Sequence, residues 1–323
     1  MANFNINLKK EICFDTPSSQ ELALSKLSGI IKAVGEIQKN TKGEVIMITT
    51  ETLEVFNAIE NLLQALYHAS CKLEISNSTG YNDKTKYEIT LPQKLTRQIL
   101  IDTEIAYYDE QNYLCFYDGI SKYIIESKEQ TVEYIKGVYL GVGTSNIVLS
   151  SESEYSKNTG YQLEFVCGDE VLAEDFIEVL AGFGIITKKI LRRDFTVIYV
   201  QDFEQVCALV GLMGATKSFL SLQNENAFRE MRNNVNRQNN CYSGNVTKIV
   251  NASVEQLNAI KVLQETVGLE SLDLSLQTAC YLRLANPEES LDNLVKLSTD
   301  GITKSGLYHR FKKIVKLANE LKN

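Results

Sequence analysis

The sequence predicts an α+β chain: a unit of helices and strands that occurs twice, followed by an all-α helix-turn-helix domain. Three observations predict it. Two glycine-bearing helical stretches stand 108 residues apart, Gly29 matching Gly137 and Gly35 matching Gly143. Each opens a segment in which apolar patterns of period 3.6 and period 2 alternate. After residue 250 the strand patterns stop, and four helical segments with recognisable ends follow. The 323 residues suit about two domains of roughly 150 residues. The divisions expected are a repeated domain over 1–220 (repeats at about 20–125 and 129–212), a linker over 221–250, and the helical domain over 251–323.

In the first repeat, ELALSKLSGIIKAVGEIQ at 21–38 reads as a helix, with Leu24, Leu27, Ile31 and Val34 in one stripe. GEVIMITT at 43–50 reads as a strand. Residues 51–69 form a second amphipathic helix on Leu53, Phe56, Ile59, Leu62, Leu63 and Leu66, and His68 late in it has a structural place. CKLEISN at 71–77 and KYEITLP at 86–92 alternate and read as paired strands. Residues 94–101 close the repeat as a helix. In the second, 129–142 is helical, 161–167 a strand, 169–182 a helix, 184–190 and 195–200 strands, and 202–212 a helix.

Glycine inside a helix costs about 1 kcal/mol relative to alanine. Four residues after Gly29 and Gly137 stand Ala33 and Gly141, on the same helix face. Small residues at matched positions predict that the two helices pack on each other with close backbone approach.

Composition narrows the function. The chain is 44% apolar and 23% charged, ordinary for a globular protein. No run of 18 apolar residues exists, so no membrane partner is expected. The start lacks an apolar signal core, so a cytoplasmic location is expected. The seven cysteines are at least 34 residues apart, which excludes CxxC motifs, and only His68 and His309 could serve a catalytic triad. No metal, cofactor or catalytic residue is expected. GLMGATKS at 211–218 is close to a phosphate-binding loop but has Thr216 where that loop needs glycine, and GVG at 141–143 lacks the third glycine of a dinucleotide fingerprint.

The net charge of −8 is unevenly spread. Residues 1–220 carry −10, 221–248 carry +2, 249–300 carry −5 and 301–323 carry +5. Such a chain cannot bind a polyanion over its whole surface but can dock one basic element on it. A basic last helix complementing its own dipole is the alternative on charge alone.

LSGIIKAVG at 27–35 and IKGVYLGVG at 135–143 resemble degenerate LAGLIDADG motifs, the signature of homing endonucleases that pair two such helices. The resemblance implies the order αββαββα, twice. In those enzymes the eighth motif position is a metal-binding acid; here Val34 and Val142 stand there. Valine offers no oxygen to Mg²⁺, so cleavage is not supported and the helices serve packing. From Tyr134 onward the chain resembles the WhiA family of bacterial sporulation and cell-division proteins. The segments that carry it are YIKGVYLGVGTSN at 134–146, YQLEFVCGDEVLAEDFIEVLAGFGI at 161–185, REMRNNVNRQNNCYSGNVTKIV at 229–250, GLESLDLSLQTACYLRLANPEESL at 268–291 and TKSGLYHRFKKI at 303–314. NFNINLKKEI at the start also fits. The family implies a LAGLIDADG-like domain without nuclease activity, joined to a helix-turn-helix, with roles in transcriptional control of division and in chromosome segregation, hence a nucleoid association.

The last domain reads the same way from its residues. Ser253 to Val267 is a helix, with Val254, Leu257, Ile260, Leu263 and Val267 on one face and Gly268 ending it. Ser275 to Ala285 is a second, stopped by Asn286-Pro287. Ser290 caps a third, 291–297, and Thr303 a last one, from Lys304 to about Leu321, with Leu307, Phe311, Ile314, Val315, Ala318 and Leu321 inward. In a helix-turn-helix the second helix lies in the major groove, its N-terminal residues toward the bases. The DNA-binding candidates are therefore Thr303, Lys304, Ser305, Tyr308 and His309, with Arg310, Lys312 and Lys313 for phosphates or guanine edges. The family motif matches at Lys304, Ser305, Gly306, His309 and Arg310; Tyr308 replaces an expected asparagine. A packed His309 is the alternative. Arg229, Arg232 and Arg237, among asparagines, are candidates for DNA-backbone or interdomain contacts. The expected partner is double-stranded DNA, with a second regulatory protein as a further one. The competing readings are a scaffold that uses the helix-turn-helix fold for a protein partner, and a LAGLIDADG-type metal-dependent endonuclease.

Overall fold

The computed structural model describes residues 4–40, 43–77, 85–147 and 160–321. Asn3 of the opening motif and Lys322 of the basic tail lie outside them. The chain divides into two units, Met1–Ala227 and Phe228–Asn323.

The first unit carries the expected order twice. The first copy is α2 (Gln20–Val34), β1 (Gly35–Asn40), β2 (Gly43–Thr50), α3 (Leu53–Tyr67), β3 (Lys72–Asn77), β4 (Thr85–Thr90) and α4 (Thr96–Asp102). The second is α5 (Lys128–Val142), β7 (Gly143–Ser145), β8 (Leu163–Cys167), α6 (Glu170–Ala181), β9 (Lys188–Arg192), β10 (Phe195–Val200) and α7 (Phe203–Leu212). Both sheets are antiparallel with the same permutation, β1-β2-β4-β3 and β7-β8-β10-β9. A hairpin of β5 (Ala106–Tyr108) and β6 (Leu114–Phe116) separates the copies, and α1 (Phe4–Phe14) precedes them.

Each motif glycine turns a helix into a strand. Gly35 and Gly143 take extended backbone, and their N–H groups return to Ile31 and Tyr139. A Cβ on Gly35 would press into the Ile31 carbonyl and one on Gly143 into the Tyr139 ring. The next residues pair at once, Gly35 opposite Ile48 and Gly143 opposite Phe165. The helix expected over 21–38 therefore ends at Val34, because 35–40 gains more hydrogen bonds as an edge strand of the sheet. The strand expected at 184–190 is displaced to Lys188–Arg192: Gly184 takes a φ of +74 and breaks the extended run.

The two motif helices cross at their glycines. A Cβ on Gly29 would collide with the Tyr134 carbonyl and lie 3.0 Å from the Val138 nitrogen. One on Gly137 would collide with the Lys26 carbonyl and lie 3.0 Å from the Ile30 nitrogen. One turn on, a Cβ on Gly141 would sit 3.1 Å from that of Ala33. The crossing lies inside a single core that includes Leu27, Ile30, Ile135, Leu140, Phe165 and Phe176, all essentially unexposed.

Four ionic side chains accompany this crossing. Lys26 and Glu133 approach within 3.5 Å, and Glu133 accepts from Lys136 at 2.6 Å. Lys136 also pairs with Asp15, while Lys26 donates to the Ile12 and Asp15 carbonyls. Burial pulls the Lys26 ammonium below its ordinary pKa, with Glu133 opposing. Burial pulls Lys136 the same way, but its hydrogen bonds to Asp15 and Glu133 more than reverse it, and it ends raised.

In the second unit α8 (Thr216–Thr266), which starts in the first unit, is followed by α9 (Leu274–Ala285), α10 (Leu291–Leu297) and α11 (Lys304–Glu320). Its core is Ala259, Ile260, Leu263, Leu276, Ala279, Cys280, Leu294, Leu307, Phe311, Ile314 and Ala318. Gly268 ends α8 with a φ of +76, as expected. The α8 face differs from the expected one: Val254 and Val267 are exposed, and Ser253 and Gln256 are buried in their place. Leu321, expected inward, is exposed beyond the last turn of α11. The 221–250 segment, rich in residues that disfavour helix, is continuous helix within α8.

Candidate nucleic-acid interface

The basic C-terminal element is held by two local caps. The Ser290 hydroxyl accepts from Asn293 N–H at 3.2 Å and starts α10; the Thr303 hydroxyl accepts from Gly306 N–H at 3.2 Å and starts α11. Between them the chain turns through Gly301, whose φ of +63 suits a residue without a Cβ. Leu307, Phe311, Ile314 and Ala318 anchor the inner face of α11. The opposite face presents Lys304, Ser305, Tyr308, His309, Lys312 and Lys313, all exposed, and Thr303 is exposed at its start. His309 is thus not packed inside; its ring meets Tyr308 edge-on at 5.7 Å.

The cations of this face are not equivalent. Lys304 pairs with Asp292 at 2.6 Å, Lys313 with Asp273 at 3.2 Å and Arg310 with Asp300 at 3.3 Å. Arg310 is half-buried and is turned toward the inter-helix turn rather than outward. Lys312 has no ion-pair partner among the described residues. These acids come from the flanking helices and the turn, and local net charge does not reveal them. The two lysine pairs are exposed and worth at most about 1 kcal/mol each, so a polyanion can displace them.

Arg283 of α9 supports the face from beneath and was missed in the sequence. It is 2% exposed, donates to Gln256 Oε1 at 2.9 Å and to the Glu289 carbonyl at 2.6 Å, and lies 5.3 Å from the Phe311 ring centre. Its spacing from Leu276, Ala279 and Cys280 puts it on the core face, which is the signal that would have found it. Truncation leaves Gln256 and a buried carbonyl without partners. Arg283→Ala is expected to cost about 2–3 kcal/mol, read as a fall in the unfolding midpoint of this unit.

Arg232 and Arg237 lie on exposed turns of α8, and Arg229 is partly buried. At the near-miss loop 211–218 the N–H groups that would meet a phosphate are already taken. The Glu11 carboxylate already accepts from Lys217 N–H at 2.6 Å and from Ser218 N–H at 2.9 Å, capping α8. At the motif positions of the first unit, Val34 and Val142 are half-buried against the core. Beside Val142, the Lys9 ammonium donates to the Leu140 carbonyl at 3.1 Å, and burial lowers its pKa to about 8.

The thiols offer no reactive group at either place. Burial pushes Cys13 up to about 12 and Cys280 up to about 11. Among the described residues no helix is long and apolar enough to cross a membrane.

Comparison with known proteins agrees along the chain. Family models match for the WhiA N-terminal LAGLIDADG-like domain over residues 20–106, the WhiA LAGLIDADG-like domain over 132–232 and the WhiA C-terminal HTH domain over 235–318. The chain is 33% identical to the "Probable cell division protein WhiA" of Clostridium botulinum (strain Eklund 17B / Type B), over 99% of each chain. It is 31% identical to the protein of the same name from Clostridium beijerinckii, again over 99% of each. The crystal structure of full-length WhiA from Thermatoga maritima has the same fold, with a TM-score of 0.58 at 21% identity over 99% of both chains. With two LAGLIDADG-like domains and a C-terminal helix-turn-helix in the same order and nearly the full length shared, the chain belongs to the WhiA family.

Proposed function

We propose that this chain is a non-catalytic DNA-binding regulator of cell division whose α11 enters the major groove. The observation that carries the reading is the exposed face of α11. Lys304, Ser305, Tyr308, His309 and Lys312 project from a helix whose other side is fixed in a core, at the end of the motif that reads bases in helix-turn-helix proteins. Thr303 completes the contact set at the helix N-terminus, where backbone N–H groups favour a phosphate. Arg310 and Lys313 join it by exchanging Asp300 and Asp273 for phosphate oxygens. Arg229, Arg232 and Arg237 add backbone contacts along α8. A cytoplasmic, nucleoid-associated location and the regulation of transcription and chromosome segregation go with this reading, and the names of the relatives supply cell division.

Absence of nuclease activity belongs to the same proposal. It is supported by Val34 and Val142 at the acid positions, which offer no oxygen to a metal ion. A supercoiled-plasmid nicking assay with Mg²⁺ should show no cleavage, and nicking by the purified chain would contradict it.

A second reading, a protein-binding scaffold, is favoured by one observation: Leu274, Tyr281 and Leu297 are exposed around a cleft on the helix-turn-helix unit. Variants separate the two. Lys304→Ala and His309→Ala are expected to weaken a specific site by about 1–3 kcal/mol, and Lys312→Ala to weaken all DNA alike. Asp292→Asn, which frees Lys304, should tighten binding. Fluorescence anisotropy with the full chain measures all four. DNA binding unchanged in every variant would remove α11 as the recognition element.

A further inference from the structure

No described residue buries the middle of α8. From residue 231 to 251 every side chain is exposed. The same stretch holds Asn233, Asn234, Asn236, Asn239, Asn240, Asn245 and Gly244, each a weak helix former costing roughly 0.5–1 kcal/mol relative to alanine. A helix of such composition needs a surface to bury one face against.

It has the face. Phe228, Val235, Tyr242 and Ile249 recur at every seventh position, and all are exposed, Tyr242 by 73% and Phe228 by 60%. Met231 and Val246 flank this row and are exposed too. A strict seven-residue repeat is the pattern of a two-helix seam, since a lone straight helix drifts about 20° per heptad away from it. We propose that two copies of this chain pair along residues 228–250 of α8, parallel and in register.

Three properties point to a second copy rather than an unrelated partner. First, the polar residues flanking the row, Gln238, Asn239 and Asn245, find amide partners when the same residue faces them from an identical helix; against an apolar partner they lose hydrogen bonds. Second, positions that face across a parallel pair beside the row (234 with 239, 241 with 246) are Asn with Asn and Cys with Val, so no like charges oppose pairing. Third, the exposed row and its flanks offer several hundred Å² per chain, near the roughly 800 Å² per partner of a standard interface. The side of α8 away from the row carries Arg237, Lys248 flanks the row opposite the uncharged Ser253, and no acid occurs from 231 to 254. Pairing therefore leaves the basic side outward, and it stands whether or not α11 binds DNA.

Sedimentation velocity of the full chain over a concentration series tests this. A dimer is expected at micromolar concentration, and Val235→Lys with Tyr242→Lys should convert it to monomer. A second pair of variants reads the register without relying on that one. In a Cys241→Ser background, Val235→Cys should oxidise to a covalent dimer, because a parallel in-register seam brings the two Cα atoms near the 4.4–6.8 Å that a disulfide spans. Arg237→Cys, pointing away, should not. A chain that stays monomeric to about 100 μM overturns the proposal. So does a dimer indifferent to the two lysines, or one in which position 237 cross-links as readily as 235.

Discussion

Gly137→Leu should unfold the first unit or come close to it. Even a Cβ at this position collides with the Lys26 carbonyl and approaches the Ile30 nitrogen to 3.0 Å, and both belong to helix backbone that cannot swing aside as a side chain would. Overpacking a core costs about 1–3 kcal/mol where side chains can shift, and more where they cannot. Gly137→Ala is expected to cost about 3 kcal/mol or more, and Gly29→Ala a similar amount, because a Cβ at Gly29 meets the Tyr134 carbonyl in the same way. Gly168→Ala is the control: a Cβ there meets nothing within 4 Å. Urea denaturation followed by tyrosine signal and far-UV circular dichroism measures all three. Equal midpoints for Gly137→Ala and Gly168→Ala would mean that the helices do not cross at these glycines.

Glu133→Gln should be the most damaging single change of charge. It keeps the shape of the side chain but leaves Lys26 and Lys136, 2% and 6% exposed, without the carboxylate between them. Removing one partner of a buried ion pair costs about 3–5 kcal/mol. Asp15 still faces Lys136, which puts the expected loss at the lower end. Lys26→Met alone takes away the ammonium 3.5 Å from Glu133 Oε2, an atom with no hydrogen bond among the described residues, and leaves the carboxylate to Lys136. The double variant Lys26→Met with Glu133→Gln should therefore cost less than the two singles summed, and a strictly additive cycle would contradict the coupling.

Much of this fold was legible because its rules are local. The four-residue offsets from Gly29 to Ala33 and from Gly137 to Gly141 announced the helix crossing, and Ser290, Thr303 and Gly268 marked helix ends that the structure places where they were expected. The failures have specific physical causes. Strand β1 was read as helix because Ile37 continues the apolar period of α2; only pairing with β2, a non-local contact, decides it. Helix α1 was missed because two of its inward positions interrupt the apolar pattern: Lys9 is buried and bonded to the Leu140 carbonyl, and Asn5 accepts from the Tyr139 hydroxyl at 2.8 Å. Asparagine and glycine argued against helix over 221–250, and propensity lost to the two well-anchored ends of α8. At the candidate site, exposure of the α11 face followed from the 3.6 period. The acids that hold Lys304, Arg310 and Lys313 did not, since Asp292, Asp300 and Asp273 reach them only through the packing of three helices.

If α11 carries the chain onto DNA, its lysines must set the salt dependence of binding. Anisotropy titrations of the full chain on duplex DNA should give a log affinity that falls linearly with log salt, with a slope of about −0.9 per neutralised phosphate. The Lys304→Ala, Lys312→Ala, Lys313→Ala triple variant should bind more weakly and with a slope shallower by about 2–3. No binding at low salt, or a triple variant with the slope of the parent chain, would contradict the account.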